Sequence, residues 1–183
     1  MNKKLTVPNF LSAFRIILIP VFAALYFAKG VENHFALAAG VIVLSGLTDV
    51  ADGFIARRFD MCSELGKILD PAADKLTQAT VLICLCFRHN DLIFMAVLLF
   101  VKELTMLTGA LVLKKKGVKK TPSARWWGKL STVIIYATVF TVVLSDIFAL
   151  PRMLTGTLIM LSVFSIAFSF GGYYFKIYRE LRN

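Results

Sequence analysis

Charge is what this sequence has least of. Only 17% of its 183 residues are Asp, Glu, Lys or Arg, against about 25% in an ordinary soluble domain, and 58% are apolar against roughly 45–50%. A globule of this length has too much surface to cover with so few charges, so a water-soluble domain, a disordered chain and a nucleic-acid-binding module are all excluded. Cysteine is scarce too. Three residues, an odd count, make no disulfide framework, and none has metal-ligand spacing. Cys84 and Cys86 point to different sides of one predicted helix and Cys62 stands alone, so all three read as packing residues. Apolar residues come in long runs rather than in alternation, which excludes a transmembrane barrel. With a mean hydropathy of +0.74, the remaining class is an all-α, polytopic membrane protein.

About 20 apolar residues of helix cross a bilayer core. Six stretches meet that length: Val7 to Ala28, Phe35 to Arg57, Leu65 to Phe87, Leu92 to Leu113, Trp126 to Leu150 and Met153 to Phe175. Short connections make them one domain over 1–183, a bundle of six sequential antiparallel transmembrane helices. The first stretch follows Lys3 and Lys4 as a signal peptide would. It is long for one, contains Arg15 and lacks a small-residue cleavage site, so it reads as a retained helix.

The net charge of +10 is unevenly placed. With the N-terminus inside, fifteen of the 21 basic residues fall in inner segments and three (Lys29, Arg88 and Arg152) in outer loops, the rest lying within spans. The positive-inside rule then puts both termini in the cytoplasm of a multi-pass cell (inner or plasma) membrane protein. The largest basic group, Lys114 to Lys116, Lys119, Lys120 and Arg125, reads as topology-setting charge that also attracts anionic headgroups. Trp126 and Trp127 beside it form an interfacial belt.

Carboxylates within membrane helices are costly, about 2.5–3.5 kcal/mol each on insertion scales. Here four are grouped on two consecutive spans. Asp49 and Asp52, three apart, share a face of the second helix, and Asp70 and Asp74, four apart, share a face of the third. A short connection lets the two faces meet near the inner surface. Four carboxylates facing one another repel unless cations lie between them, and an oxygen-only donor set favours Mg²⁺, with Mn²⁺ or Ca²⁺ as alternatives. Such a cluster has room for two ions. Gly53 and Gly66 offer bare backbone, Ala56 keeps the face shallow, and Arg57 brings a planar fork suited to phosphate. Metal, arginine and open backbone together describe a phosphate site, and in a membrane protein its ligand is a phosphorylated or nucleotide-activated lipid.

The spacing Asp49-x2-Asp52-Gly53-x2-Ala56-Arg57-x8-Gly66-x3-Asp70-x3-Asp74 resembles the signature of the CDP-alcohol phosphotransferases, integral-membrane enzymes of phospholipid headgroup synthesis. All eight specified positions match, a coincidence on the order of one in 10⁸ at average residue usage. The opening Asn9–Pro20, NFLSAFRIILIP, looks like that of the bacterial phosphatidylglycerolphosphate synthases within that family. The resemblance implies transfer of the phosphatidyl group of CDP-diacylglycerol to an alcohol with release of CMP. It implies that Asp49, Asp52, Asp70 and Asp74 hold the metal, that Asp74 is also the catalytic base, and that Gly53, Ala56, Arg57 and Gly66 cradle the CDP. It also implies a homodimer, with no nucleic-acid partner.

The acceptor is less legible. Glycerol 3-phosphate requires basic groups, for which Arg15, Lys102 and Lys129 are candidates, with Ser12 one turn before Arg15. Each has an ordinary alternative: an internal ion pair for Arg15 and for Lys102 beside Glu103, a snorkelling anchor for Lys129. Enzymes of the glycerol-phosphate type typically show Arg-Glu in the fourth helix, an arginine two turns later, and Gly-Lys-x-Lys-Thr opening the fifth. Here these positions hold Lys102-Glu103, Ala110 and Gly128-Lys129-Leu130-Ser131-Thr132. Two basic groups are missing, which leaves phosphatidylglycerol open as acceptor, the reaction of a CMP-forming cardiolipin synthase. A divalent-cation transporter is the alternative from another class, since it too places carboxylates in membrane helices.

Overall fold

The computed structural model describes residues 7–58, 66–115, 126–148 and 150–182. Within them the chain is all-helical, with no strand. Six α-helices follow in order: α1 (Val7–Tyr26), α2 (His34–Arg58), α3 (Gly66–Cys86), α4 (Ile93–Lys115), α5 (Trp126–Phe148) and α6 (Arg152–Arg182). A single 3₁₀ turn, Asn90–Leu92, leads into α4. Cys62 and the basic residues Lys116, Lys119, Lys120 and Arg125 lie outside the described residues.

Five helices (α1, α2, α4, α5 and α6) are long and apolar enough to cross a membrane, as a multi-pass membrane protein requires. At 1.5 Å per residue, the shortest, α1 with 20 residues, is about 30 Å long. α3 has the length, at 21 residues, but not the composition, because Lys67, Asp70, Asp74 and Lys75 crowd its first half. Large apolar side chains stand exposed on every span, among them Phe10, Ile17, Phe100, Met160 and Phe164. In water this would be a patch of aggregating surface; against lipid it is the expected exterior. Hydroxyls on exposed faces fold back on their own helix: Thr105 donates to the Val101 carbonyl at 2.8 Å and Thr157 to that of Met153 at 2.7 Å. These two hydroxyl hydrogens are thereby kept from hydrocarbon. α6 runs past the expected end at Phe175 to Arg182, the helix continuing into its polar and aromatic tail.

The chain divides into two compact units, Met1–Leu85 with Asp146–Phe148, and Cys86–Ser145 with Ala149–Asn183. In the first, α1 turns tightly into α2 through Asn33, whose φ of 55° is the left-handed conformation asparagine tolerates. The Leu37 amide donates to the Asn33 carbonyl at 3.0 Å and starts α2. Ala38 and Ala39 are buried where small residues permit close helix approach. Phe22 and Tyr26 stack with centroids 5.7 Å apart, Phe35 meets Tyr26 edge-on, and the Tyr26 hydroxyl donates to Asp146 Oδ2 at 3.1 Å.

The second unit buries Leu92 and Met95 at the start of α4. Its α5 and α6 are joined by hydroxyls: Thr138 Oγ1 lies 2.7 Å from Ser162 Oγ, and Ser131 Oγ lies 3.3 Å from Ser165 Oγ. The side-chain-free edge of Gly172 faces the Trp127 ring. Such small and hydroxylated residues are what packs helices where no hydrophobic effect separates helix from solvent.

Candidate functional site

Three helices of the first unit each carry a polar stripe. On α1 it is Asn9, Ser12 and Arg15, on α2 it is Ser45, Asp49 and Asp52, and on α3 it is Asp70, Asp74 and Gln78. Each advances by three or four residues, so each stays on one helix face. Asn9, Ser12, Arg15, Ser45, Asp52 and Gln78 are all buried. Most of these polar side chains therefore turn inward, with Asp49 at the exposed edge.

The stripes meet through ion pairs and a hydroxyl. The Arg15 guanidinium bridges two carboxylates of α2: Nη1 donates to Asp49 Oδ1, and Nη2 donates to Asp52 Oδ2 at 2.6 Å. Ser12, one turn earlier on α1, donates its hydroxyl to Asp70 Oδ1 on α3. Asp49 and Asp70 both lie within electrostatic reach of Asp52. The pairing is lopsided in burial: Arg15 is 2% exposed and Asp52 4%, whereas the Asp49 side chain is 52% exposed. Arg15 Nε is buried with no hydrogen-bond partner.

Ser12, Arg15, Asp49, Asp52 and Asp70 are thus brought together. Asp74 follows Asp70 by one turn of α3 and is half-buried. Gly53 follows Asp52, and Gly66 opens α3 and is buried. Ala56 and Arg57 lie in the last turns of α2, their side chains outside the described residues. Lys102 and Lys129 belong to the second unit, Lys102 buried in α4 and Lys129 exposed near the start of α5. Ser131, at the position of the second lysine in the glycerol-phosphate type, is buried and faces Ser165.

The donor set suits a hard cation. Asp49 and Asp52 meet the Arg15 guanidinium, Asp70 meets the Ser12 hydroxyl, and every carboxylate donor atom is oxygen. As the side chains stand, no three His, Cys, Asp or Glu among the described residues are grouped to share an ion. The guanidinium itself takes the position between Asp49 and Asp52. Beside the cluster, Leu18, Phe22, Val41, Ser45 and Thr77 line a mostly apolar gap between α1, α2 and α3.

Asn9 opens the motif quoted above without a role of its own, and Ser45 and Gln78 fall outside the motifs. The signal for them is present, since each is the next polar residue at helical spacing from a residue already singled out.

Comparison with known proteins identifies the family. Residues 5–170 match the sequence model of the CDP-alcohol phosphatidyltransferase family. A CDP-diacylglycerol–glycerol-3-phosphate 3-phosphatidyltransferase of Aquifex aeolicus is 32% identical over 97% of this chain and 98% of its own length. One of Haemophilus influenzae bearing the same name is 28% identical over 70% of each chain. A CMP-forming cardiolipin synthase of Streptomyces coelicolor is 33% identical over 74% of this chain and 64% of its own.

Proposed function

The chain belongs to the CDP-alcohol phosphatidyltransferase family, and from that premise we propose that it transfers the phosphatidyl group of CDP-diacylglycerol to glycerol 3-phosphate, giving phosphatidylglycerol phosphate and CMP. The observation that carries the site is the convergence of Ser12, Arg15, Asp49, Asp52 and Asp70 from three helices. The choice of acceptor is supported by the relative aligned over nearly the whole of both chains, whose name specifies glycerol 3-phosphate. Membership of a transferase family sets aside the cation-transport reading.

Asp49, Asp52, Asp70 and Asp74 would hold Mg²⁺ or Mn²⁺, two ions in all. When bound, these supply positive charge to the diphosphate and to the departing CMP. The rest of the reaction falls to the chain's own groups. Gly53, Ala56, Arg57 and Gly66 bind and orient the CDP moiety. Asp74 accepts the proton of the acceptor hydroxyl as its oxygen attacks the phosphatidyl phosphorus. The P–O bond to CMP breaks on the opposite side, and the electron pair leaves with CMP. Ser12 and Arg15 bind the anionic acceptor. Phosphoryl transfer is largely positioning and charge neutralisation, which is what such a set provides. The protein works as a homodimer with six spans, both termini and the active site on the cytoplasmic side of the cell membrane.

A second reading keeps the chemistry and changes the acceptor. The Streptomyces relative is named for cardiolipin synthesis, and Ala110 and Ser131 stand where the glycerol-phosphate type carries basic residues. Phosphatidylglycerol then replaces glycerol 3-phosphate.

The test is purified protein with labelled CDP-diacylglycerol, Mg²⁺ and each acceptor, with products identified by mass. Glycerol 3-phosphate should release CMP, chelation with EDTA should stop it, and Asp70→Asn or Asp74→Asn should lower the rate at least 100-fold. Release with phosphatidylglycerol alone selects the second reading. No CMP with either acceptor refutes both.

A further inference from the structure

The mechanism leaves one feature unused: the Arg15 guanidinium spans the two carboxylates that should face a metal, while its own Nε finds no acceptor. We propose that Arg15 and Ser12 are built-in stand-ins for the cation, holding Asp49, Asp52 and Asp70 together in the ion-free protein and exchanging with the metal when it binds. The inference rests on the metal reading above and adds to it a second position for Arg15.

Three observations carry it. First, Arg15 is 2% exposed and Ser12 0%, so neither interaction is a surface accident. Second, the guanidinium meets Asp49 and Asp52, while Asp70 is met by the neutral Ser12 hydroxyl. Together they hold the acids in place without saturating them. A divalent ion brings more charge and draws oxygens to about 2.0–2.1 Å for Mg²⁺. A guanidinium left on the same carboxylates would then be repelled by the ion at short range. Third, Arg15 is itself incompletely satisfied. A buried N–H without an acceptor is costly, and the bridge uses only the two Nη atoms. Once released, Nε and one Nη can together grip a single oxyanion, the bidentate geometry for which arginine is suited. Exchange thus frees a cationic fork beside the metal as the metal arrives, which orders the events: ion first, anionic acceptor second. A lysine at position 15 would keep the charge but lose the two-armed bridge.

The test uses full-length protein in nanodiscs with Mn²⁺ as the probe. Binding is read by electron paramagnetic resonance and stability by thermal unfolding in EDTA and in saturating Mn²⁺. Wild type should bind Mn²⁺, and Asp49→Asn should weaken binding at least tenfold. Failure there refutes the metal reading itself. Arg15→Gln should lower the unfolding midpoint in EDTA but hardly in Mn²⁺, because by linkage a bridge that opens when the ion binds cannot stabilise the bound state. Arg15→Lys should bind Mn²⁺ at least threefold more tightly than wild type, since the charge is kept and only the bridge is weakened. Equal loss of midpoint in both conditions, or unchanged or weaker Mn²⁺ binding by Arg15→Lys, would make Arg15 a permanent strut and overturn the proposal while leaving the metal reading intact. If Arg15→Gln folds only with Mn²⁺ present, the proposal is supported. If it folds in neither condition, the Arg15→Lys affinity decides.

Discussion

Neutralising Asp49 and Asp52 one at a time should hurt stability unequally, although either change should abolish the reaction. Both acids hold the same guanidinium, but Asp52 is 4% exposed and the Asp49 side chain 52%. Removing a partner from a buried pair costs about 3–5 kcal/mol because a charge is left stranded. Arg15 would retain Asp49, so the lower end, about 3 kcal/mol, applies to Asp52→Asn. An exposed pair is worth about 0–1 kcal/mol, which bounds Asp49→Asn. For a chain of this size each kcal/mol moves the unfolding midpoint by about 2–4 °C, so the expected losses are roughly 6–12 °C and at most about 4 °C. Both changes also relieve repulsion with the remaining carboxylates. That offset is shared, and the difference between the variants is the diagnostic. Unfolding is read in EDTA with a thiol-reactive dye, since Cys84 is buried in α3 and reports its exposure. Equal losses, or a larger loss for Asp49→Asn, would show that burial does not decide the energetics of this cluster.

Tyr26→Phe removes the hydroxyl given to Asp146 and keeps the stacked ring. It should cost about 1 kcal/mol, seen as a fall of about 2–4 °C in the same assay, with CMP release unchanged. Thr138→Val removes the 2.7 Å hydrogen bond with Ser162 from the α5–α6 seam at constant shape. The expected cost is about 0.6 kcal/mol, and combining it with Ser162→Ala should add little, because the pair is already broken. Gly172→Ala should be nearly neutral, since an added Cβ would meet the Trp127 ring at 3.4 Å, whereas Gly172→Leu should separate the two side chains and lower the midpoint by several degrees.

The helical class, the place of each helix and the grouping of acids were legible because they follow from local rules: run length, charge spacing and helical period. What the acids touch was not. Ser12 and Asp70 are 58 residues apart and Arg15 and Asp52 are 37 apart, and no local pattern names a partner across such distances. Arg15 has no acidic neighbour within its own helix because its partners sit on the next one. Ser131 illustrates the opposite limit. In the sequence it is a missing lysine, and in the fold it is buried against Ser165. Whether a position faces a site or a packing seam depends on helix rotation, which composition leaves open.

The helix that fails the composition test for crossing a membrane is the one that carries half of the acids. Asp70 and Asp74 fall within the first ten residues of α3, and the second half of the helix contains no charge. On the proposed six-span reading, these acids lie near the end of a span and close to interfacial water, where the cost of a charge is far below its midplane value. The polar half of α3 is therefore held by partners rather than by lipid. Ser12 donates to Asp70, and Arg15 fixes the facing acids of α2. Local rules are expected to break where function demands it. Here the violation has a definite compensation, because α1 supplies both the cation and the hydroxyl. α1 in that sense completes the acidic cluster although it carries no acid. A chain with α1 altered at Ser12 and Arg15 together should insert α3 less completely, which protease accessibility of the α2–α3 connection would report. Unchanged accessibility would show that α3 holds its place without α1.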